Sequence, residues 1–321
     1  MRIEARAIWI TWEKQIRNQS MAQELGVPLY EFISERTRMF RYVELSLRTL
    51  GALRENKPEV LFVQNPSIVL SFIAILVRPF FGFKAVVDCH NSGLHPLERR
   101  SRALNLVADW IAGSADLTIV TNAALASEVH DKGGKAFVMP DPLPNIESKG
   151  EILNIESPSL LFICTWALDE PYREVMEAAE GLDATIYITG NYRKAIKEDE
   201  VKKIPNNVVL LGFVDRETYD SYLNSVDLVV DLTTRDNCLV CGAYEAVSAE
   251  KPMVISDTKI NREVFNQGAI YTENDSVSVR RSVLHAISDL DQLAEGVAQL
   301  KKQRQESTCN LVRELKIELN V

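Results

Sequence analysis

Residues Asp227 to Asp257, DLVVDLTTRDNCLVCGAYEAVSAEKPMVISD, contain the pattern that decides the fold, which is strand, loop, helix and strand in succession. The apolar runs Leu228 to Leu232 and Pro252 to Ile255 are typical of buried parallel strands, and Gly242 to Glu250 between them favours a helix. An open α/β sheet binds its ligand at the carboxyl ends of the strands, where helices begin. The free N–H groups of this helix, at roughly Leu239 to Ala243, therefore predict a site for a diphosphate.

One carboxylate, Glu245, lies in the first turn of this helix, where it can accept hydrogen bonds from a ribose. The stretch resembles the donor-binding signature of the family 4 glycosyltransferases of the GT-B fold (glycosyl transferases group 1). In that family, two glutamates eight positions apart flank a Gly-rich turn and precede an Ala-rich helix and a Lys-Pro strand start. Glu245, Ala246 and Lys251-Pro252 match, whereas Asn237 stands where the family has the first glutamate, which contacts the donor sugar. Asn237 can still hydrogen bond to sugar hydroxyls, but it has no charge.

Candidate strands alternate with helical patterns in two series, which predicts two doubly wound sheets. The strands of the first series are Ala5 to Ile10, Val60 to Gln64, Ala85 to Asp88, Leu117 to Thr121 and Ala136 to Met139. The strands of the second are Leu160 to Cys164, Thr185 to Thr189, Val208 to Leu211, Leu228 to Leu232, Met253 to Ile255 and Ala269 to Tyr271. A Pro-rich linker near residues 140–158 separates the two series.

The resemblance implies an α/β protein of the GT-B type, with two Rossmann-like domains facing a cleft. We expect an N-terminal acceptor-binding domain at residues 1–145 and a C-terminal nucleotide-sugar-binding domain at residues 146–321. The resemblance also implies that the terminal helix, at about residues 294–319, packs back on the N-terminal domain. The cleft is the expected site.

Composition narrows the classes of function. The chain of 321 residues has 36 basic and 45 acidic residues, and its net charge of −9 argues against a nucleic-acid surface. Five cysteines, an odd number, and an N-terminus without a long apolar run predict a reduced, cytoplasmic protein. The apolar stretch Ile68 to Val77, with the aromatic residues after it, is too short to span a bilayer. It indicates either a buried crossover helix or a peripheral contact at the inner face of a membrane.

Other donor-binding candidates follow from the same resemblance. Phe213 and Val214, just after a strand, match the segment whose backbone contacts the nucleobase, and Cys238, Leu239 and Val240 precede the helix of Glu245. The segment Ile163 to Glu170 occupies the place of a Gly-rich turn with an Arg and a Lys that clamp the diphosphate, but both cations are missing. Thr165 could supply a hydroxyl and Arg193 a charge from the next loop, although Arg193 could equally be a solvated surface residue.

In the first series, His90 follows the strand ending at Asp88 and matches a family histidine that contacts the donor sugar. Hydrogen bonding or charge stabilisation near the transferring carbon is its expected role, with a structural histidine as the alternative and His95 as a weaker candidate. Trp12 and Arg17 follow the first strand and could form an acceptor platform, in which Trp12 stacks on a sugar and Arg17 meets a phosphate. The same residues could simply begin a solvated helix.

These features predict transfer of a sugar from a nucleotide-sugar donor to a hydroxyl of a glycan or lipid-linked saccharide, as in polysaccharide or glycoconjugate biosynthesis. The resemblance implies retention of the anomeric configuration, and neither a metal nor another cofactor is expected. An inverting reaction would need a base, for which Asp88, His90 and Glu13 are the candidates. Cys238 and Cys241 have C-x-x-C spacing but no second pair, so a metal site is not expected there. Two alternatives remain, a non-catalytic GT-B subunit that partners another transferase and a nucleotide-sugar 2-epimerase.

Overall fold

The computed structural model describes residues 6–65, 67–146, 151–236 and 238–320. The chain divides into two compact units, each built around a sheet of six strands. Unit 1 consists of Met1–Pro142 together with Gln305–Val321, and unit 2 of Leu143–Arg304. The predicted α/β class with two doubly wound sheets is confirmed. The acceptor-binding and donor-binding roles of the two domains stay predictions.

The sheet of unit 1 is entirely parallel, in the spatial order β2-β1-β3-β4-β5-β6. Its strands are Ala7–Thr11 (β1), Leu29–Glu31 (β2), Val60–Asn65 (β3), Lys84–Cys89 (β4), Leu117–Val120 (β5) and Ala136–Val138 (β6). β1 and β3 are buried along their whole length because helices cover both faces of the sheet. The strand order reverses between β1 and β3, so the loops after these strands diverge and leave a crevice at the carboxyl edge.

Helices cover the two faces of this sheet unequally. They are Ile16–Leu25 (α1), Arg38–Asn56 (α2), Ile68–Phe81 (α3), Asn91–Leu94 (α4), Arg102–Ser114 (α5) and Ala123–Asp131 (α6), with a 3-10 turn at Pro96–Arg99. Apolar residues of α2, α3, α5 and α6 share one core cluster, and α1 packs in the cluster on the other face. The second cluster also contains Val312, Leu315 and Leu319 near the end of the chain.

The sheet of unit 2 is also parallel, in the order β12-β11-β10-β7-β8-β9. Its strands are Ser159–Phe162 (β7), Thr185–Thr189 (β8), Val208–Gly212 (β9), Leu228–Asp231 (β10), Met253–Ser256 (β11) and Ala269–Thr272 (β12). The order reverses between β7 and β10. The loops that follow these two strands therefore flank the crevice of this sheet.

The helices of unit 2 begin at the carboxyl edge of its sheet. They are Tyr172–Ala179 (α7), Glu198–Val201 (α8), Arg216–Ser225 (α9), Cys241–Ser248 (α10), Lys259–Val264 (α11) and Ser276–Ser288 (α12), with a 3-10 turn at Tyr192–Lys194. The terminal helix Leu290–Leu319 (α13) begins in unit 2 and ends in unit 1. The Asp215 carboxylate caps α9 by accepting a hydrogen bond from the Thr218 N–H at 2.8 Å, which sets where α9 begins.

Every strand predicted from the sequence is present, with ends shifted by one or two residues. The sequence interpretation missed β2, Leu29–Glu31, because three half-buried residues are too few to show an alternating pattern. Among the described residues, no helix combines the length and the apolar composition that crossing a bilayer requires. The predicted crossover helix at Ile68 to Val77 forms as α3 and buries one side, including Leu70 and Ala74.

Candidate active site

The candidate residues of unit 1 lie at the carboxyl edge of its sheet. His90 directly follows β4, and its Nε2 atom is 3.7 Å from Oδ2 of Asp88. This nitrogen is buried and has no hydrogen-bond partner among the described residues. Burial lowers the pKa of His90, and the nearby Asp88 carboxylate only partly offsets that effect. The imidazole is therefore neutral at pH 7 and can donate or accept a hydrogen bond.

Asp88 is held by Arg17 rather than left open as a base. The Arg17 guanidinium, from the first turn of α1, bonds the Asp88 carboxylate at 2.6 and 3.0 Å and also pairs with Asp141. Burial acts to lower the pKa of Arg17, but the two carboxylates outweigh it and raise that pKa. The attraction of Arg17 likewise outweighs burial at Asp88, whose pKa is lowered. Both groups are therefore ionised at neutral pH.

The acceptor platform predicted at Trp12 and Arg17 is corrected by this geometry. The Trp12 ring is only 6% exposed in the core of unit 1, and its indole N–H donates to Oγ1 of Thr49 at 3.0 Å. A ring enclosed in this way has no face left for a sugar. The Arg17 guanidinium is likewise buried and shared between two carboxylates, so it positions Asp88 instead of meeting a phosphate.

A buried polar network at the β1 and β3 ends was not foreseen from the sequence. Oε1 of Gln64 accepts hydrogen bonds from the Thr11 hydroxyl at 2.8 Å and the Asn18 amide at 2.9 Å. Asn18 also donates to Thr11 at 3.1 Å. The signal was available, because Gln64 and Thr11 are polar residues at the ends of otherwise apolar strands. This network fixes the loop after β1 at the crevice of the sheet.

In unit 2, the loop after β7 is folded around Glu170. The Glu170 carboxylate accepts hydrogen bonds from the N–H groups of Thr165 and Ala167, at 2.9 and 2.8 Å, and from the Thr165 hydroxyl at 2.9 Å. Thr165, predicted as a donor contact, is exposed, but its hydroxyl hydrogen is directed at this carboxylate. An acidic turn thus stands where the family has its cationic clamp.

The same loop is fastened to the loop after β10. Oδ2 of Asp169 accepts a hydrogen bond from the Thr233 hydroxyl at 3.0 Å and lies 3.3 Å from Nε of Arg235. The Thr234 N–H donates to the Asp169 backbone oxygen at 2.7 Å. The two loops that flank the crevice of this sheet therefore form one connected wall. Arg235 brings a largely exposed cation to it, which the sequence interpretation missed.

The predicted diphosphate site at the start of α10 needs a correction. Asp231, the last residue of β10, is buried, and its carboxyl lies at the start of α10, where the N–H groups of Gly242 and Ala243 act to lower its pKa. Burial raises the pKa of Asp231 well above its ordinary value, and the charges of Glu170 and Glu245 act in the same direction. A Cβ on residue 242 would lie 2.5 Å from Oδ2 of Asp231, so only glycine allows this contact. A buried carboxyl of the protein therefore stands at the start of α10, where the sequence predicted free N–H groups.

Glu245 is held at both oxygens. Arg216 donates to Oε1 at 3.0 Å, and the Tyr219 hydroxyl donates to Oε2. Arg216 also bonds Asp220 at 3.0 Å, so α9 and α10 are joined through this cluster. Burial raises the pKa of Tyr219 well above its ordinary value, and Glu245 adds to the rise, so the hydroxyl keeps its proton. Each Glu245 oxygen retains a lone pair for a ligand hydroxyl.

The other predicted donor contacts are distributed over the same edge. The Phe213 ring is 89% exposed, directly after β9, and Val214 is partly buried. Arg193 is exposed, with its guanidinium 5.1 Å from the Tyr192 ring centre. Cys238 and Leu239 are partly buried, and Val240 is buried as the residue before α10. Asn237 lies outside the described residues. These binding roles stay predictions.

His95 and the cysteine pair complete the candidates. Nε2 of His95 lies 2.7 Å from Oε2 of Glu128, and Arg99 contacts both groups, so His95 belongs to a surface ion cluster. Cys238 and Cys241 are not joined by a disulfide. Within the part of the chain that the structure describes, no three His, Cys, Asp or Glu side chains are grouped so as to hold a metal ion.

Two parallel doubly wound sheets of six strands each give the chain the α/β architecture of GT-B proteins. Residues 11–140 match the glycosyl transferase 4-like domain, and residues 164–303 match glycosyl transferases group 1. The chain therefore belongs to the family 4-like glycosyltransferases. Comparison with curated protein sequences gives no significant match.

Solved structures agree on the fold. Sucrose-phosphate synthase from Thermosynechococcus elongatus is similar at a TM-score of 0.71 and 14% identity, over 90% of this chain and 80% of that one. Anabaena HepE in complex with UDP is similar at 0.70 and 13% identity over the whole of both chains. A UDP-GlcNAc 2-epimerase from Methanocaldococcus jannaschii is similar at 0.56 and 14% identity, over 87% and 91%. Identities this low establish the fold and leave substrates open.

Proposed function

We propose that this glycosyltransferase moves a sugar from a nucleotide-sugar donor to a hydroxyl of a glycan or lipid-linked saccharide, with retention of the anomeric configuration. The observation that carries the proposal is Glu245 in the second turn of α10, where Arg216 and Tyr219 hold both of its oxygens. A fixed, largely buried carboxylate is suited to accept hydrogen bonds from the two hydroxyls of a ribose.

Uracil is the base that we propose to test first, in UDP and its sugars. Structures with the same fold include Anabaena HepE in complex with UDP and with UDP-glucose. In this chain, the backbone groups of Phe213 and Val214 would meet the edge of the base, because these residues follow β9 at the carboxyl edge of the sheet. The exposed Phe213 ring offers an additional stacking surface.

The diphosphate would be bound without a resident metal or other cofactor. Glu170 occupies N–H groups at this edge and the Asp231 carboxyl stands at the start of α10, so the positive charge has to come from side chains. Arg235, which lies beside Asp169, is an exposed cation of this wall, and Arg193 is an exposed cation on the loop after β8. We propose that these two arginines bind the diphosphate in place of the missing Arg and Lys clamp, with Thr165 as a polar contact.

The reaction would need no protein nucleophile. The bond between the sugar C1 and the phosphate oxygen breaks, a bond between C1 and the acceptor oxygen forms on the same face, and the acceptor proton passes to the leaving phosphate. Neutral His90 would donate a hydrogen bond to the donor sugar as charge develops, consistent with its lowered pKa and unpaired Nε2. Asn237 would contact the same sugar.

The acceptor and the place of action are part of the proposal. We propose a cytoplasmic enzyme of polysaccharide or glycoconjugate biosynthesis that works peripherally at the inner face of a membrane. An acidic chain with five free cysteines is in keeping with a reducing compartment and with partners other than nucleic acid.

The first experiment is a calorimetric binding screen against UDP, GDP, ADP and their common sugars. We expect micromolar binding of one nucleotide, lost in Glu245→Ala and kept in Glu263→Ala, a matched change at an exposed glutamate of the same unit. Binding of no nucleotide by the folded protein would contradict the proposal and favour a non-catalytic subunit.

Product analysis then separates the remaining alternatives. NMR of the reaction with the selected donor should show a new glycoside with the anomeric configuration of the donor. An inverted anomer would contradict the retaining mechanism. A free sugar nucleotide altered at C2 would indicate an epimerase, a class that shares the fold.

A further inference from the structure

Unit 1 carries an unusual concentration of exposed apolar side chains. Of the nineteen large apolar residues that are exposed in the described part of the chain, eleven lie between residues 33 and 110. Nine of them are on three helices, namely Met39, Phe40, Val43 and Leu47 on α2, Phe72, Leu76 and Phe80 on α3, and Leu106 and Trp110 on α5. Scattered exposed apolar residues are ordinary, but a contiguous set marks an interaction surface.

These residues form stripes rather than isolated points. Residues 39, 43 and 47 of α2, 72, 76 and 80 of α3, and 106 and 110 of α5 repeat every four positions, which places each set on one side of its helix. The opposite sides of the same helices are buried, through Leu45, Leu70 and Ile111 among others. Each helix thus carries an exposed apolar stripe in addition to the apolar side that packs toward the sheet.

The three stripes belong to one surface. α2, α3 and α5 pack on the same face of the sheet, and α3 contacts both α2 and α5. The rings of Phe72 and Trp110 lie 5.1 Å apart and join two of the stripes. We call this surface, defined by the nine residues on α2, α3 and α5, the apolar helix face.

Arginines border the apolar helix face at the carboxyl edge of the sheet. Arg36, Arg38 and Arg41 lie at the start of α2, and Arg99, Arg100 and Arg102 at the start of α5. Residues 33–114 contain 11 basic and 7 acidic residues, a net charge of +4 within a chain of net charge −9. His90 lies at this same edge of unit 1.

We infer that the apolar helix face is the surface by which the protein binds an anionic lipid bilayer. Exposed Met, Leu and Phe side chains would enter the boundary between headgroups and acyl chains, and the arginines would meet lipid phosphates. The positive charge of the bordering arginines favours a bilayer over a second copy of this chain, because two copies would bring the same positive borders together. The inference deepens the peripheral contact in the proposed function, and it would place His90 on the edge that faces the lipid.

Vesicle co-sedimentation without donor or acceptor tests this surface directly. We expect the full-length protein to sediment with vesicles of phosphatidylcholine and phosphatidylglycerol, less with phosphatidylcholine alone, and less in high salt. The variant M39S/F40S/L47S should bind at least about tenfold more weakly, because it removes three apolar side chains that would be buried in the bilayer. The variant R38Q/R102Q should lose mainly the preference for the anionic lipid.

The matched control is V277S/L284S, which removes two exposed apolar residues from α12 of unit 2 and should bind like the wild type. Equal binding of M39S/F40S/L47S and wild type, or no binding of the wild type, would overturn the inference. If light scattering shows that the wild type is a dimer and that M39S/F40S/L47S is a monomer, the inference is also overturned, and the face is assigned to a second copy. The vesicle assay contains no nucleotide sugar, so its result can be interpreted even if the donor-binding screen fails.

Discussion

The Tyr219 hydroxyl donates a hydrogen bond to Oε2 of Glu245, and this contact joins α9 to α10 at the edge where the donor ribose is proposed to bind. Arg216 holds the other oxygen at 3.0 Å. The side chain of Glu245 is therefore fixed before the ligand binds. This orientation reduces the loss of conformational entropy on ligand binding.

Tyr219→Phe tests this preorganisation. The change keeps the ring and removes the hydroxyl, so Glu245 loses one of its two protein partners. We expect the affinity for the nucleotide to fall about tenfold, the value of one hydrogen bond to a charged group. Calorimetry with the nucleotide selected in the screen gives the comparison. Tyr222→Phe, on the same helix but packed against Tyr187, is the control and should bind normally. An equal loss in both variants would assign the effect to α9 as a whole.

Asp231→Asn tests the buried carboxyl at the start of α10. Because folding raises the pKa of Asp231, its contribution to stability is complete below its unfolded pKa of about 4 and is lost as the pH rises through the folded pKa. Asparagine cannot ionise and keeps one oxygen for the Gly242 and Ala243 N–H groups. We expect the variant to be more stable at pH 7, on the order of 1 kcal/mol, with a smaller gain near pH 4.

Urea unfolding at several pH values measures this difference. Asp183→Asn, an exposed site in the same unit, should leave the free energy of unfolding nearly unchanged at each pH. A loss of stability in Asp231→Asn at pH 7 would mean that the ionised carboxylate, rather than the protonated form, caps α10.

The sequence predicted the elements of this fold well because long buried strands and amphipathic helices leave strong patterns. The strand Val60–Asn65 ends one residue past its predicted end, and the helix Ile68–Phe81 begins at its predicted first residue. The site was predicted less completely, because it depends on contacts between residues far apart in the chain. Arg17 and Asp141 are separated by 124 positions, and nothing local indicates that they pair.

Trp12 shows why a residue type alone is a weak guide to a site. A tryptophan after a strand is compatible with a sugar platform and with a core position, and the partner Thr49 that decides between them lies on another element. Asp231 shows the converse. Its position at a strand end was visible, but only the approach of Gly242 reveals that this carboxyl competes for the N–H groups of α10.

Arg17→Ala tests whether Arg17 positions Asp88. Removing the guanidinium leaves Asp88 buried without its cation and Asp141 without its partner. We expect unfolding free energy to fall by about 3–5 kcal/mol, as when one member of a buried ion pair is removed. The control Arg6→Ala breaks an exposed pair with Glu59 and should cost less than about 1 kcal/mol. Urea unfolding distinguishes them, and a small effect in Arg17→Ala would contradict the positioning role.

His90→Ala tests the predicted contact with the donor sugar. We expect turnover to fall on the order of 10²-fold, because one preorganised donor near the developing charge is lost. Release of nucleoside diphosphate from the selected donor measures turnover, and His95→Ala, in the Glu128 and Arg99 cluster, is the control and should retain activity. Burial lowers the pKa of His90, so the imidazole gains a proton only below the ordinary histidine pKa of about 6.5. Wild-type turnover should therefore lose its His90-dependent part only as the pH falls below that value. A decline that begins above pH 7 would assign the titration to another group.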